Sequence, residues 1–238
     1  MAADKTQATS SEEPRAKPPA LLFDLDGTLM DSNYEHVSAW RLALRRTGVE
    51  APNALLHHCI GMRGDLLVRA VYKEIGKTAG DKTVTRLEKL HKAYFEKSLS
   101  SVKPLLGATA LLKSLSREKV PWAIATGGDK GTVQKMIRPL GVASAAPIVT
   151  ADDVDQAKPE PDVFLLAARR LGMALRDCIV VGDSVWDLLA ARRSKALGVG
   201  LLCGGYGQAE LEQAGAYRVY KHPGDLLDHL AEIGIDVR

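Results

Sequence analysis

The stretch that most constrains the fold runs from Ala20 to Ser32, with the sequence ALLFDLDGTLMDS. Its apolar residues Leu21 to Phe23 predict a buried strand, which ends directly in the carboxylates Asp24 and Asp26. Alternate strand residues face the same way, so both carboxylates point to one side if the strand continues past Asp24. Two like charges at the end of an apolar strand are costly unless a positive group lies between them. A divalent metal ion would meet this need, and the alternative is a solvated loop or a helix cap.

The composition is that of an ordinary globular chain. It has 238 residues, of which 46% are hydrophobic and 26% charged, so it is long enough to bury a full core. The net charge of +3 comes from interspersed acids and bases, which argues against nucleic acid or an anionic membrane as a partner. Three separated cysteines without a CxxC pair indicate neither a zinc site nor disulfides, and they favour a reducing, cytoplasmic location.

Residues 1–19 predict a disordered tail. They contain three prolines and several charges but no apolar segment, which also excludes a secretory signal within them. No apolar run in the chain approaches the roughly 20 residues that span a bilayer.

Residues 33–102 predict a helical cap subdomain inserted after the first strand. Apolar residues recur there at spacings of three and four along Ala54 to Ile60, Leu66 to Ile75 and Val84 to Leu99, and no strand pattern interrupts them. A segment of about 70 residues is too long to be a loop.

Residues 103–238 alternate strand and helix patterns instead. The predicted strands are Val120 to Thr126, Ala146 to Val149, Cys178 to Val181 and Gly198 to Leu202. This alternation predicts a parallel sheet with helices on both faces. We expect residues 20–32 and 103–238 to form one α/β core domain.

Carboxylates follow two of these predicted strands. Asp24 and Asp26 follow the first strand, and Asp183, with Asp187 four residues further on, follows the strand at Cys178. The carboxyl ends of parallel strands meet at one edge of a sheet, where ligands bind. Oxygen ligands without histidine or cysteine suit a hard cation, so we predict a Mg²⁺ site.

A second group of residues has the chemistry of an anion cradle. Thr126, Gly127 and Gly128 follow another strand, and Lys158 lies in the loop sequence KPEPD. The hydroxyl, the amides of the glycine turn and the ammonium group could bind a phosphate. A metal, a carboxylate able to attack and a phosphate cradle together indicate phosphoryl transfer through an aspartyl-phosphate.

The ordered motifs FDLDGTLMDS, IATGG, KPEPD and VVGDSVWD resemble the haloacid dehalogenase superfamily. The resemblance runs from Ala20 to the C-terminus and is strongest to the branch with a helical C1-type cap, which includes phosphoglycolate phosphatases and beta-phosphoglucomutases. It implies a Rossmann-like core with strand order 3-2-1-4-5. It also implies that Asp24 is the nucleophile and that Asp26 is the general acid and base, both residues also being metal ligands. Asp26 would bind the metal through its backbone carbonyl.

The resemblance assigns the remaining motif residues as well. Thr126 and Gly127 would bind the phosphoryl group, Lys158 would neutralise its charge, and Asp183 would bind Mg²⁺. Asp187 could reach the metal directly or through water. The structural alternatives are a strand-end hydroxyl for Thr126, a surface lysine for Lys158 and an exposed helix residue for Asp187.

Two further residues are candidates for substrate contacts in the cap. His36 could order the nucleophile loop or couple cap closure to Asp26, and the alternative is a partly buried helix residue beside Trp40. Arg63, in a segment that resembles the family's substrate-gripping cap loop, could bind a second anion or hydroxyls of the substrate. The alternative is a surface arginine. We expect His57, His58 and His91 to lie on the surface.

The reaction that the motifs favour is phosphate ester hydrolysis. Dehalogenases of the family lack the second aspartate, and Asp26 is present here. Thr126-Gly127-Gly128 and Gly182-Asp183 are phosphatase-like, whereas the mutases carry a serine-rich second motif and a Glu-Asp pair. We predict an Mg²⁺-dependent phosphatase acting on a small phosphorylated metabolite, as a monomer or homodimer. The alternatives are a sugar phosphomutase and a non-catalytic binding protein of the same fold.

Overall fold

The structure is a computed structural model that describes residues 18–141, 146–156 and 158–236. The predicted disordered tail lies almost wholly outside these residues. The strands are β1 (Ala20–Phe23), β2 (Met30–Asp31), β3 (Lys103–Pro104), β4 (Trp122–Ala125), β5 (Ile148–Val149), β6 (Cys178–Gly182), β7 (Leu197–Leu201) and β8 (Ala216–Tyr220). The helices are α1 (Asn33–Arg45), α2 (Asn53–Cys59), α3 (Gly64–Glu74), α4 (Asp81–Ser98), α5 (Ala108–Arg117), α6 (Lys130–Met136), α7 (Asp162–Arg170), α8 (Val185–Arg193), α9 (Gln208–Ala214) and α10 (Pro223–Asp228).

Six parallel strands form the central sheet in the order β5-β4-β1-β6-β7-β8. Counted along the chain within this sheet, the order is 3-2-1-4-5-6, so the predicted arrangement of five strands is confirmed. The sixth strand, β8, was not predicted. Its sequence AYRVY lies at the edge of the sheet and is only partly buried, so it lacks the apolar run of the inner strands.

Helices cover both faces of the sheet, as predicted. Leu21 and Phe23 of β1 pack in one apolar cluster with α5, α6 and α10, whereas Ala20 and Leu22 pack in another with α7 and α8. Every residue of β1 is buried, as expected for a central strand with its two faces in two cores.

The segment predicted as a cap consists of four helices, α1–α4, which we call the helical block (residues 33–98). It has its own apolar core, in which Trp40 and Leu44 of α1 pack with Leu56, Leu67 and Leu87. The chain leaves and re-enters the α/β part through a short antiparallel pair that was not predicted, in which Met30 pairs with Pro104.

Two helices are shorter than the helical patterns in their sequences. The pattern from Lys130 to Leu140 ends as α6 at Met136 and continues as a 3-10 turn, because Pro139 cannot donate a helical hydrogen bond. The pattern from Asp225 to Ile233 likewise divides into α10 and a 3-10 turn from Leu230 to Ile233. None of the described helices is both long enough and apolar enough to cross a lipid bilayer.

Candidate active site

The carboxyl ends of β1, β4 and β6 are neighbours in the sheet, and the predicted site residues meet there. Asp24, Thr126 and Asp183 follow these strands and are all buried. A cavity of about 400 Å³ opens above them, between the sheet edge and the helical block. Asp24, Asp26, His36, Arg63, Thr126, Gly127 and Lys158 all line it.

Lys158 joins two carboxylates at the floor of this cavity. Its ammonium nitrogen lies 2.5 Å from Oδ1 of Asp24 and 2.7 Å from Oδ1 of Asp187. All three side chains are buried. Burial alone would lower the pKa of Lys158, but the two carboxylates outweigh it and raise the pKa above its ordinary value.

Carboxylate oxygens of Asp24, Asp183 and Asp187 lie within 4.8 Å of one another. Burial is the largest cause that raises the pKa of Asp24, and the nearby acids add to it against the opposing effect of Lys158. Burial and Asp187 likewise raise the pKa of Asp183 to about 7. Three buried carboxylates share one ammonium group, so the cluster favours a further cation.

Asp183 is held from both sides by hydrogen bonds. The Thr28 hydroxyl donates to its Oδ1 at 2.7 Å, and the Asn33 amide donates to its Oδ2 at 2.8 Å. Glycines complete the cradle, because a Cβ at either Gly27 or Gly204 would overlap Oδ2 of Asp183. The backbone thus approaches this carboxylate more closely than any other residue type would allow.

Asp187 is less available than Asp183. Its Oδ1 pairs with Lys158, and its Oδ2 accepts hydrogen bonds from the Ser184 hydroxyl at 2.6 Å and the Ser184 amide at 3.2 Å. These contacts form a capping box at the start of α8. The alternative of an exposed helix residue does not apply, because Asp187 is fully buried.

Asp26 lies apart from the acidic cluster and faces the helical block. Its Oδ1 accepts a hydrogen bond from the Ser32 hydroxyl at 2.6 Å and lies 3.1 Å from Nε2 of His36. Its Oδ2 lies 3.4 Å from the Thr126 hydroxyl. Burial would raise the pKa of Asp26, but His36 and Ser32 outweigh it and lower the pKa.

His36 links Asp26 to a second histidine in the helical block. Its Nδ1 lies 3.0 Å from Nε2 of His91, and its ring stacks on Phe95 with centroids 3.7 Å apart. His91 stacks in turn on Trp40, with centroids 4.1 Å apart. Burial and His36 hold the pKa of His91 well below its usual range, which favours a neutral imidazole.

The prediction that His91 lies on the surface is wrong. Leu87, His91 and Phe95 are spaced four residues apart on α4, and both apolar neighbours are buried. This spacing places all three on one helix face, so the periodicity of α4 carried a signal for the position of His91.

Arg63 lines the cavity but is already engaged. Its guanidinium donates two hydrogen bonds to Asp65, at 2.7 and 3.0 Å, and one to the backbone carbonyl of Asp155 at 2.6 Å. The last contact connects the helical block to a loop of the α/β part.

Comparison with known proteins agrees with this geometry. Residues 18–195 match the family model described as haloacid dehalogenase-like hydrolase. The chain is 37% identical over 171 residues to Hexitol phosphatase A of Escherichia coli, covering 71% of this chain and 76% of that protein. It is 31% identical over 217 residues to a phosphoglycolate phosphatase of Yersinia pseudotuberculosis, covering 89% of each.

Solved structures share the fold over most of the chain. A hydrolase from Pseudomonas syringae superposes with a TM-score of 0.88 at 43% identity, covering 91% of this chain and 100% of that one. A beta-phosphoglucomutase from Clostridium difficile gives a TM-score of 0.78 at 20% identity, covering 90% and 96%. The second similarity shows the fold alone.

The chain therefore belongs to the haloacid dehalogenase-like hydrolases. Within this class it is a phosphatase, that is, a phosphoric monoester hydrolase.

The buried carboxylates fit the hard divalent cation that such phosphatases generally use. The donor set consists of carboxylate oxygens of Asp24, Asp183 and Asp187 that lie within 4.8 Å of one another. A cation bound there would compensate the excess negative charge.

Proposed function

We propose that this protein is an Mg²⁺-dependent phosphatase that hydrolyses a small phosphorylated metabolite, either a sugar phosphate or a phosphoglycolate-like ester, through an aspartyl-phosphate. The observation that carries the proposal is the buried contact of Lys158 with Asp24 beside an acidic cluster, at the floor of a closed-in cavity. This arrangement places the Asp24 carboxyl group next to a cationic phosphate-binding group. Names of relatives such as Hexitol phosphatase A support the substrate class.

In the first step, a carboxylate oxygen of Asp24 attacks phosphorus. The new bond from Asp24 to phosphorus forms while the ester bond to the leaving oxygen breaks, and Asp26 gives its proton to that oxygen. In the second step, water attacks the same phosphorus and loses its proton to Asp26. Inorganic phosphate leaves, and the Asp24 carboxylate is restored.

The other site residues hold the phosphoryl group. Lys158 neutralises its charge from one side, and the Thr126 hydroxyl and the amide at Gly127 donate hydrogen bonds to it. Bound by Asp24, Asp183 and the backbone carbonyl of Asp26, Mg²⁺ would supply the remaining positive charge. We assign Asp187 to the support of Lys158, with the metal contact through water as the second option.

The helical block acts as a cap in this proposal. Residues 33–102 would be the cap subdomain, and residues 20–32 and 103–238 the core domain. Because the cavity lies beneath the block, the substrate must be small, which argues against a phosphoprotein. His36 is placed to connect the cap with Asp26. We expect a cytoplasmic monomer or homodimer.

A sugar phosphomutase is the second candidate, because a beta-phosphoglucomutase shares the fold. A mutase would retain the phosphoryl group and return it to another hydroxyl of the sugar. The complete set of Asp24, Asp26, Thr126, Lys158 and Asp183 argues against a non-catalytic binding protein.

The test is phosphate release from a panel of small phosphate esters, including beta-glucose 1-phosphate, with Mg²⁺ and with a chelator. We expect free phosphate that disappears on chelation and in Asp24→Asn, while Mg²⁺ binding to that variant is only weakened. Retained turnover in Asp24→Asn would refute the covalent mechanism. Conversion of beta-glucose 1-phosphate to the 6-phosphate with little free phosphate would identify the mutase.

A further inference from the structure

The part of the cavity formed by the helical block carries charges that the hydrolysis itself does not use. Arg63, Glu88 and Lys92 line this part, together with Asp129 and Asp152 from the opposite wall. These side chains would face whatever leaving group is attached to the phosphate.

The two cations among them are already paired within the protein. Arg63 binds Asp65 through two nitrogens, and Lys92 lies 2.8 Å from Oδ1 of Asp129. In the described part of the chain, a third lysine or arginine, Lys158, also lines the cavity. It lies beside Asp24, at the end where the phosphate would bind. Burial and His36 lower the pKa of His91, which disfavours a positive charge on its imidazole.

Glu88 remains as a carboxylate without such a partner. It projects from α4 toward Gly64 in the first turn of α3. Gly64 makes this approach possible, because a Cβ there would lie 3.0 Å from Oε1 of Glu88 and 3.4 Å from the ring of Trp40. Burial raises the pKa of Glu88 most, Asp65 adds to this effect, and Arg63 opposes it.

We propose that Glu88 is a specificity-determining residue that selects a neutral, polyhydroxylated leaving group and rejects esters that carry a second anion. The inference rests on the proposed phosphatase function and narrows its substrate class. Hydroxyl groups can donate to the Glu88 carboxylate and accept from Arg63, whereas a carboxylate or second phosphate would meet an unneutralised like charge. Trp40 offers an apolar surface to the carbon chain of a polyol.

The same charge distribution separates this substrate class from the other candidates. Phosphoglycolate carries a carboxylate, and a sugar phosphomutase must accommodate a bisphosphate during its cycle. Each of these ligands needs an unpaired cation at the end of the cavity remote from Asp24. Among the described residues that line this end, the cations Arg63 and Lys92 are both held in ion pairs.

A matched pair of esters tests the proposal. D-glucitol 6-phosphate and 6-phosphogluconate differ only at the end remote from phosphorus, where one has a hydroxymethyl group and the other a carboxylate. We expect kcat/KM for the polyol ester to be higher by about tenfold or more, mainly through KM, as like-charge rejection costs more than 1.4 kcal/mol. Glu88→Gln should reduce this ratio severalfold, again through KM.

Two controls make the result decisive. Glu96→Gln changes a carboxylate on the same helix that pairs with Lys135 outside the cavity, and it should leave the ratio unchanged. Hydrolysis of p-nitrophenyl phosphate reports folding and chemistry in each variant. Equal kcat/KM for the two esters, or an unchanged ratio in Glu88→Gln, overturns the proposal. A wild-type enzyme that releases phosphate from other small esters but from neither of these two overturns this proposal alone, whereas no phosphate release from any ester of the panel refutes the phosphatase function as well.

Discussion

Oδ1 of Asp187 lies 2.7 Å from the same Lys158 nitrogen that contacts Asp24 at 2.5 Å, so two carboxylates that follow different strands hold one buried ammonium group. Asp24 follows β1 and Asp187 lies in α8, which follows β6. The sheet places these elements side by side, and the lysine loop spans them. The position of the Lys158 ammonium group beside the proposed nucleophile Asp24 therefore depends on Asp187, a residue that need not touch the substrate.

Replacing Lys158 with methionine should abolish most of the activity. The substitution keeps an unbranched side chain that is one atom shorter, but it leaves Asp24 and Asp187 buried without this counter-ion, and the phosphoryl group without the lysine cation. We expect kcat to fall by at least about a hundredfold. The matched control is Lys113→Met, which changes an exposed lysine of α5. A Lys158→Met enzyme with near-normal kcat would show that this lysine does not neutralise the phosphoryl group.

The stability of the metal-free protein should fall as the pH rises from about 5 toward 8. The folded-state pKa of Asp183 is raised to about 7, so the folded protein holds a proton there that the unfolded chain has lost. The contribution of Asp183 to stability is fully present below the pKa that it has in the unfolded chain. It is lost as the pH rises through the pKa of Asp183 in the folded protein. Folding lowers the pKa of His91, so below the pKa of an unfolded histidine the contribution of His91 to stability increases with pH.

Thermal unfolding of wild type and Asp183→Asn at several pH values separates these contributions. The variant lacks one of the two buried carboxyl groups whose pKa is raised, so its melting temperature should fall less over this range, while the effects of Asp24 and His91 remain. Added Mg²⁺ should raise the melting temperature of the wild type most at the upper end of the range, because the cation replaces the proton. An identical Mg²⁺ response in Asp183→Asn would contradict the assignment of Asp183 as a ligand.

Most of the parallel sheet could be predicted, because its central strands are short apolar runs that end in Gly, Thr or Asp. Asp24, Thr126 and Asp183 met as expected, since the carboxyl ends of adjacent parallel strands meet at one edge. The edge strand β8 could not be predicted in this way. It lies at the edge of the sheet and pairs with β7, and its adjacent residues Tyr217 and Arg218 are both exposed and break the apolar pattern.

The contacts between distant segments were beyond the reach of sequence patterns. Nothing local indicates that Asn33 reaches Asp183, 150 positions further along the chain, or that His91 reaches His36. Ser32 occupies the N-cap position of α1, but its hydroxyl donates to Asp26 and not to the backbone of the helix. Such choices depend on which partner the fold brings near, and only the three-dimensional arrangement specifies that.

Gly204→Ala should weaken the binding of Mg²⁺. A methyl group at this position would overlap the Asp183 carboxylate, whereas the backbone conformation itself accepts alanine. Asp183 would have to leave its contacts with Thr28 and Asn33, so we expect a higher Mg²⁺ concentration for half-maximal activity and a lower kcat. Gly80→Ala is the control, because a Cβ there meets only open space. Unchanged Mg²⁺ titrations in both variants would contradict a role of the cradle in holding Asp183.

Asp26→Asn should separate the two proposed steps when p-nitrophenyl phosphate is the substrate. Nitrophenolate leaves without a proton, so attack by Asp24 can still proceed, whereas water attack in the second step still needs a base. We therefore expect a burst close to one nitrophenolate per active site, followed by turnover at least about a hundredfold slower than wild type. Asp24→Asn should give no burst.

D-glucitol 6-phosphate, whose leaving oxygen must be protonated, should react slowly with Asp26→Asn in both steps. Fast, linear turnover in Asp26→Asn with either ester would show that the proton passes through another group.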